Sequence, residues 1–187
     1  MAESQPSVRP CRVLLVGLMG SGKTTVGRLL AGLTGWPYLD NDELIEQAAG
    51  RTARQLLAEG GESALRLAEA DALEAALTTP PPCICGVAAG TITSPRGRRA
   101  LADGGIVVWL TADPATLAGR AVSAIHRPWL EEDAEGWLRE TAAERNPLYG
   151  EVSDLVVDTA ERTPDEVAAL IHAELRERPA CRAWLGE

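Results

Sequence analysis

Apolar residues follow two rhythms along this chain. Short, nearly continuous runs occur at residues 11–16 (CRVLLV), 83–87 (CICGV) and 106–110 (IVVWL), each preceded by proline or glycine. Such runs predict strands buried on both faces of a parallel sheet. Elsewhere the spacing lengthens to three and four. Val26, Leu29, Leu30 and Leu33 mark one face of a helix over 23–33. Weaker signals predict strands at 36–40 and 155–157. Helices are predicted at 42–49 and 52–59, broken at Gly50, and at 62–77, stopped by Pro80, Pro81 and Pro82. Further helices are expected over 97–102, 114–124, 135–146 and 164–178, with Pro147 ending the third of these. Residues 125–133, of mixed composition around Pro128, read as a mobile loop.

Strands and helices therefore alternate almost throughout. That pattern predicts an α/β fold, a parallel sheet flanked by helices on both faces in three layers. Ligands of such folds collect at the carboxyl ends of the strands. At 187 residues the chain fits a single domain over 11–178, between a flexible tail at 1–10 and a C-terminal tail at 179–187. Phe is absent, so Leu, Val, Ile and Ala must fill the core.

The formal net charge of −9 argues against nucleic acid or an anionic membrane as a partner. No apolar run approaches the roughly 18 residues that cross a bilayer. The first ten residues lack the basic and apolar regions of a secretion signal, so the expected location is cytoplasmic. Cys83 and Cys85 share one face of a strand, while His126 and His172 are far off in sequence. With Cys11 and Cys181 they read as reduced, mostly buried thiols.

The chemistry begins at Gly17-Leu18-Met19-Gly20-Ser21-Gly22-Lys23-Thr24, which fits G-x-x-x-x-G-K-[ST]. An apolar strand precedes it and an amphipathic helix follows, the context in which the motif binds a nucleoside triphosphate. Glycines let successive N–H groups curl toward phosphate oxygens, and the helix N-terminus faces the same anion. Lys23 is expected at the β- and γ-phosphates and the Thr24 hydroxyl at Mg²⁺. Met19, Thr25 and the loop backbone complete this phosphate site. The motif leaves the acceptor open.

Asp40-Asn41-Asp42 closes the second strand facing that loop. One carboxylate there can hold Mg²⁺ through water, and another can take a proton from an attacking hydroxyl. Asp42 fits the N-cap of the next helix equally well. Arg127 lies in a His-Arg-Pro turn and Arg145 precedes Asn-Pro, so both can close on a phosphate or carboxylate as bidentate donors. Arg66 and Arg120 lie on helices, where most arginines are solvated.

Over residues 12–172 the order of these pieces resembles the shikimate kinases. The matching segments are GLMGSGKTTVGRLLA, YLDNDELIE, GESALRLAE, TSPRGRRAL, HRPWL, ERNPLYGEVSDLVVDT and RTPDEVA. The resemblance implies a P-loop kinase with a mobile lid at about 121–134, acting as a monomer on ATP and a small anionic hydroxylated substrate, with Mg²⁺. It assigns Asp40 to the metal with Thr24, and Asp42 to the acceptor hydroxyl as base. It assigns Arg66 and Arg145 to the substrate carboxylate, Arg127 to the transferred phosphoryl group and Arg120 to adenine. Where the family carries three glycines, this chain has Ala88, Ala89 and Gly90. Ala89 and Gly90 are expected against the acceptor, with the alanine methyls narrowing the approach. Leu57 and Leu65 replace aromatic residues of the family's substrate pocket, and Trp129 replaces a leucine after Arg127-Pro128. A related kinase for another small hydroxy acid or cyclitol, and a nucleotide-binding module without transfer activity, are the alternatives.

Overall fold

A computed structural model describes residues 9–124 and 133–186. Five strands form one parallel sheet: β1 (Arg12–Val16), β2 (Tyr38–Leu39), β3 (Cys83–Gly86), β4 (Ile106–Thr111) and β5 (Leu155–Asp158). Their order across the sheet is β2-β3-β1-β4-β5. Central β1 pairs with β3 from Arg12↔Cys83 to Leu15↔Gly86 and with β4 from Val13↔Ile106 to Val16↔Trp109. The order reverses at β1, which places a crevice beyond its carboxyl end.

The period of two along β1 builds both core layers. Val13 and Leu15 join Val26, Leu30, Trp36, Ile171 and Leu175 in one buried cluster. Leu14 and Val16 face the other way, toward Leu73, Leu101, Leu138 and Tyr149. Helices α1 (Lys23–Thr34) and α7 (Pro164–Glu177) thus cover one face. The other is covered by α3 (Ala53–Thr78), α4 (Pro95–Gly104), α5 (Pro114–Ala124) and α6 (Ala134–Val152). The three-layer α/β/α arrangement expected from the alternation is the one found. A small satellite cluster of Ile45, Leu56 and Ala72 anchors α2 (Asn41–Ala49) to α3.

Gly61 interrupts α3 with φ 69° and ψ −169°, between the two helices expected on either side. Pro147 behaves differently from expectation, because α6 runs through it to Val152. Proline removes one hydrogen bond, to the carbonyl four residues back. That carbonyl belongs to Ala143, and both Ala143 and Pro147 are exposed, so water can replace the bond. Leu138, Thr141, Ala142 and Tyr149 are buried on either side of the proline, and this packing holds the helix together.

Two further expectations are corrected. Cys11 and Cys181 are not free thiols but form a disulfide, with Cα atoms 5.0 Å apart. Cys83 and Cys85 are free and buried, with sulfurs 3.9 Å apart. Residues after 178 are also more than a tail. A short helix α8 (Pro179–Arg182) buries Cys181, and Leu185 packs on the core. At the same end of the sheet Arg9 pairs with Asp154, so the chain is tied down before β1 begins. Arg12 donates to the carbonyls of Gly104 and Thr79, both at 2.6 Å. No helix among the described residues is long and apolar enough to cross a membrane.

Candidate active site

The loop from β1 into α1 is shaped by glycines. Gly17, Gly20 and Gly22 have φ of 140°, 80° and 93°, a region L side chains rarely enter. A β-carbon at Gly17 would also meet the Leu110 carbonyl oxygen at 2.3 Å, and one at Gly20 would meet that of Leu117 at 2.5 Å. Gly22 caps α1 without any side-chain hydrogen bond. By contrast α2, α3, α4, α6 and α7 are each capped by an Asp, Thr or Ser side chain. The first N–H groups of α1 are therefore left for an anion.

Lys23 Nζ rests on the carbonyls of Gly17 (2.8 Å) and Leu18 (3.1 Å). Burial lowers its pKa to about 8, against the opposing pull of Asp42 and Asp40. Ser21 Oγ is buried with no hydrogen-bond partner among the described residues. Thr24 donates its hydroxyl to Asp40 Oδ2 at 3.1 Å, which brings the two expected metal ligands together. Tyr38 OH reaches the same oxygen at 3.3 Å. Thr24 and Asp40 are hard oxygen donors that suit Mg²⁺, an ion that usually completes its shell with water and phosphate oxygens. No group of three or more His, Cys, Asp or Glu side chains is poised for a metal among the described residues.

Asp40, not Asp42, caps α2, accepting from the Asp42 N–H at 3.0 Å. The Asp42 side chain makes no hydrogen bond among the described residues, so it is available to a substrate. Across the cleft, Arg66 donates to Glu69 at 2.6 Å and to Glu62 at 2.8 Å. Glu69 is buried, and that burial raises its pKa against the pull of Arg66. Arg145 Nη1 touches the Ala89 carbonyl at 3.4 Å, while its Nε is buried without a partner among the described residues.

The loop after β3 fits its alanines. Every described non-glycine residue has negative φ, so Ala88 and Ala89 carry none of the strain that positive φ would impose. At Gly90 a β-carbon would fall 1.5 Å from Arg66 Nη1, so any side chain there would have to displace the Arg66 guanidinium.

One cleft of about 920 Å³ collects these groups. Met19, Lys23, Thr24, Thr25, Asp40, Asp42, Arg66, Ala89, Gly90, Arg120 and Arg145 all line it, as do Leu57 and Leu65. Gly17 sits behind the loop and shapes it. Arg127 and most of the expected lid lie outside the described residues. Sequence reasoning missed Glu69, Tyr38, Tyr149 and Thr159. Thr159 holds Arg120 through its hydroxyl (2.9 Å) and carbonyl (2.7 Å). All four lie inside segments that carry the family resemblance, YLDNDELIE, GESALRLAE and ERNPLYGEVSDLVVDT, which was the available signal.

A family profile described as shikimate kinase matches residues 19–176. A shikimate kinase of Symbiobacterium thermophilum is 41% identical over 169 residues, covering 89% of this chain and 97% of that protein. One from Cereibacter sphaeroides is 36% identical, covering 89% and 83%. Among solved structures, a shikimate kinase from Acinetobacter baumannii in complex with shikimate superposes with a TM-score of 0.84 at 32% identity, covering 92% and 96%. With the phosphate loop, the paired acidic residues and the arginine-lined cleft in one place, the chain belongs to the shikimate kinase family, phosphotransferases that use ATP to phosphorylate an alcohol group of shikimate.

Proposed function

We propose that this chain carries out that reaction with the residues gathered in the cleft, converting shikimate to shikimate 3-phosphate. The observation that carries the reading is the unengaged Asp42 carboxylate, lining the same cleft as Lys23 and the Arg66 and Arg145 guanidiniums. The phosphate loop holds the triphosphate on backbone N–H groups, and Lys23 leaves its carbonyl partners for the β- and γ-phosphates. Thr24 and Asp40 would hold Mg²⁺, which supplies charge neutralisation at the phosphates. Arg120, fixed by Thr159, packs on adenine.

Arg66 and Arg145 bind the acceptor carboxylate, with Gly90 and Ala89 alongside. Asp42 accepts the proton of the attacking hydroxyl as its oxygen bonds to phosphorus, and ADP leaves. Arg127 is assigned to the transferred phosphoryl group. Such a transfer is accelerated mainly by positioning and charge stabilisation.

ADP release dependent on shikimate tests the reading. Wild type should show it, and Asp42→Asn should lose roughly 10²–10⁴-fold in kcat, the range of general base catalysis, with ATP affinity retained. Wild-type ATP hydrolysis indifferent to shikimate would overturn the acceptor. ATP affinity collapsing in Asp42→Asn, with turnover surviving at saturation, would reassign Asp42.

A further inference from the structure

Tyr149 lies among the core residues of α6, yet its hydroxyl reaches the active site. The side chain is 1% exposed, and its ring stacks on Trp109 of β4 with centroids 5.6 Å apart. The hydroxyl donates to the Ala89 carbonyl at 3.1 Å. Arg145, one turn earlier on α6, touches that oxygen at 3.4 Å. One carbonyl thus receives a short bond from a rigid, buried side chain and a long one from a side chain assigned to the substrate.

The geometry of the peptide gives this contact its meaning. The Ala89–Gly90 bond is trans, since the cis bond of the described chain is Pro81–Pro82. In a planar trans peptide the C=O and the following N–H point in opposite directions. Holding the Ala89 oxygen against α6 turns the Gly90 N–H away from α6. Gly90 is buried, and its N–H has no partner among the described residues. The Arg66 guanidinium lies against its α-carbon. A buried donor of this kind costs stability unless something accepts from it.

We infer that Tyr149 is a positioning residue for the acceptor: its hydroxyl fixes the Ala89–Gly90 peptide so that the Gly90 N–H faces a substrate oxygen, and it lets Arg145 leave Ala89 for the substrate carboxylate. The inference rests on the proposed acceptor site. The bond is local to the 88–90 loop and touches nothing in the phosphate loop, so its loss should divide the two substrates.

Tyr149→Phe keeps the ring on Trp109 and deletes only the hydroxyl. In the ligand-free variant, ¹⁵N–¹H spectra should show the Gly90 amide shifted or broadened, with Lys23 and Thr24 unmoved. Kinetically, kcat/KM for shikimate should fall about fivefold to tenfold, the equivalent of one hydrogen bond. KM for ATP should stay within twofold, and the melting temperature should hardly change. An unmoved Gly90 amide overturns the inference whatever the substrate is. So does a rise in both KM values together with a lower melting temperature, which would mark a general packing role. If wild type ignores shikimate while the Gly90 amide still moves in Tyr149→Phe, the acceptor assignment fails and the positioning role stands.

Discussion

The two halves of the cleft are built from different materials. On the nucleotide side the binding surface is backbone: three glycines with positive φ, an uncapped helix and a lysine resting on its own loop carbonyls. On the acceptor side it is charged side chains: Asp42, whose carboxylate is unengaged, and two arginines that already have partners. Arg66 is paired with Glu62 and Glu69, and Arg145 rests on Ala89. The nucleotide side is shaped before the ligand arrives. The acceptor side must exchange one set of partners for another, so its affinity is a difference between two sets of charge-assisted bonds. Truncating Lys23 should therefore remove catalysis, and truncating an arginine on the acceptor side should weaken one substrate.

After Asp42→Asn, the substitution with the largest expected effect is Lys23→Ala, on the nucleotide side. Removing a preorganised charge from the transferring phosphoryl group costs roughly 10²–10³ in turnover, the scale of losing one oxyanion donor. The melting temperature should hold, because Lys23 lies in the cleft and outside the core clusters. Coupled ADP release and a thermal melt check both, and near-normal turnover would erase the distinction between the halves.

Arg66→Ala and Arg145→Ala come next. Each should raise the acceptor KM about tenfold, the loss of one charge-assisted bond, and leave KM for ATP nearly unchanged. Arg66→Ala should be the more severe, because it strands the buried Glu69 carboxylate beside the acceptor. Equal rises in both KM values would mean that the two halves are not separable.

The smallest effect is a fraction of a proton. In the free protein Lys23 titrates at about 8, held below its ordinary value by burial. A bound triphosphate favours the charged form and raises that value. Well below pH 8 the amine is protonated in both states and no proton moves. Above pH 8, ATP binding should take up a proton fraction, so affinity should fall as pH rises. Calorimetry at pH 8.5 in buffers of different ionisation enthalpy measures the uptake. Proton release there would contradict the placement of Lys23 at the phosphates.

The same division explains what could be read before the fold was known. The phosphate loop is local, its glycines and lysine fixed by eight consecutive residues, and it stood out at once. The three central strands are as plain, because β1, β3 and β4 are almost wholly apolar, while the outer β2 and β5 are short and less marked. Glu69 and Tyr149 carry no such mark, since their meaning lies in Arg66 and Ala89, which the fold brings to them. Pro147 departs from the expectation because propensity stops a helix there, while packing on both sides of the residue keeps it going. The Cys11–Cys181 bridge spans 170 residues, so no spacing announced it.

That bridge also changes how the molecule carries load. Traction applied at the two ends of the chain enters at residue 11 and leaves at residue 181 through a covalent link, so the sheet between them feels almost none of it. A device that reels the protein in from either end would meet a closed ring, which it must swallow as a double strand or first cut by reduction. The link sits at the amino end of β1, away from the cleft at the other. The chain could be tethered by its ends to a surface or a neighbouring domain and still present its catalytic face without mechanical distortion.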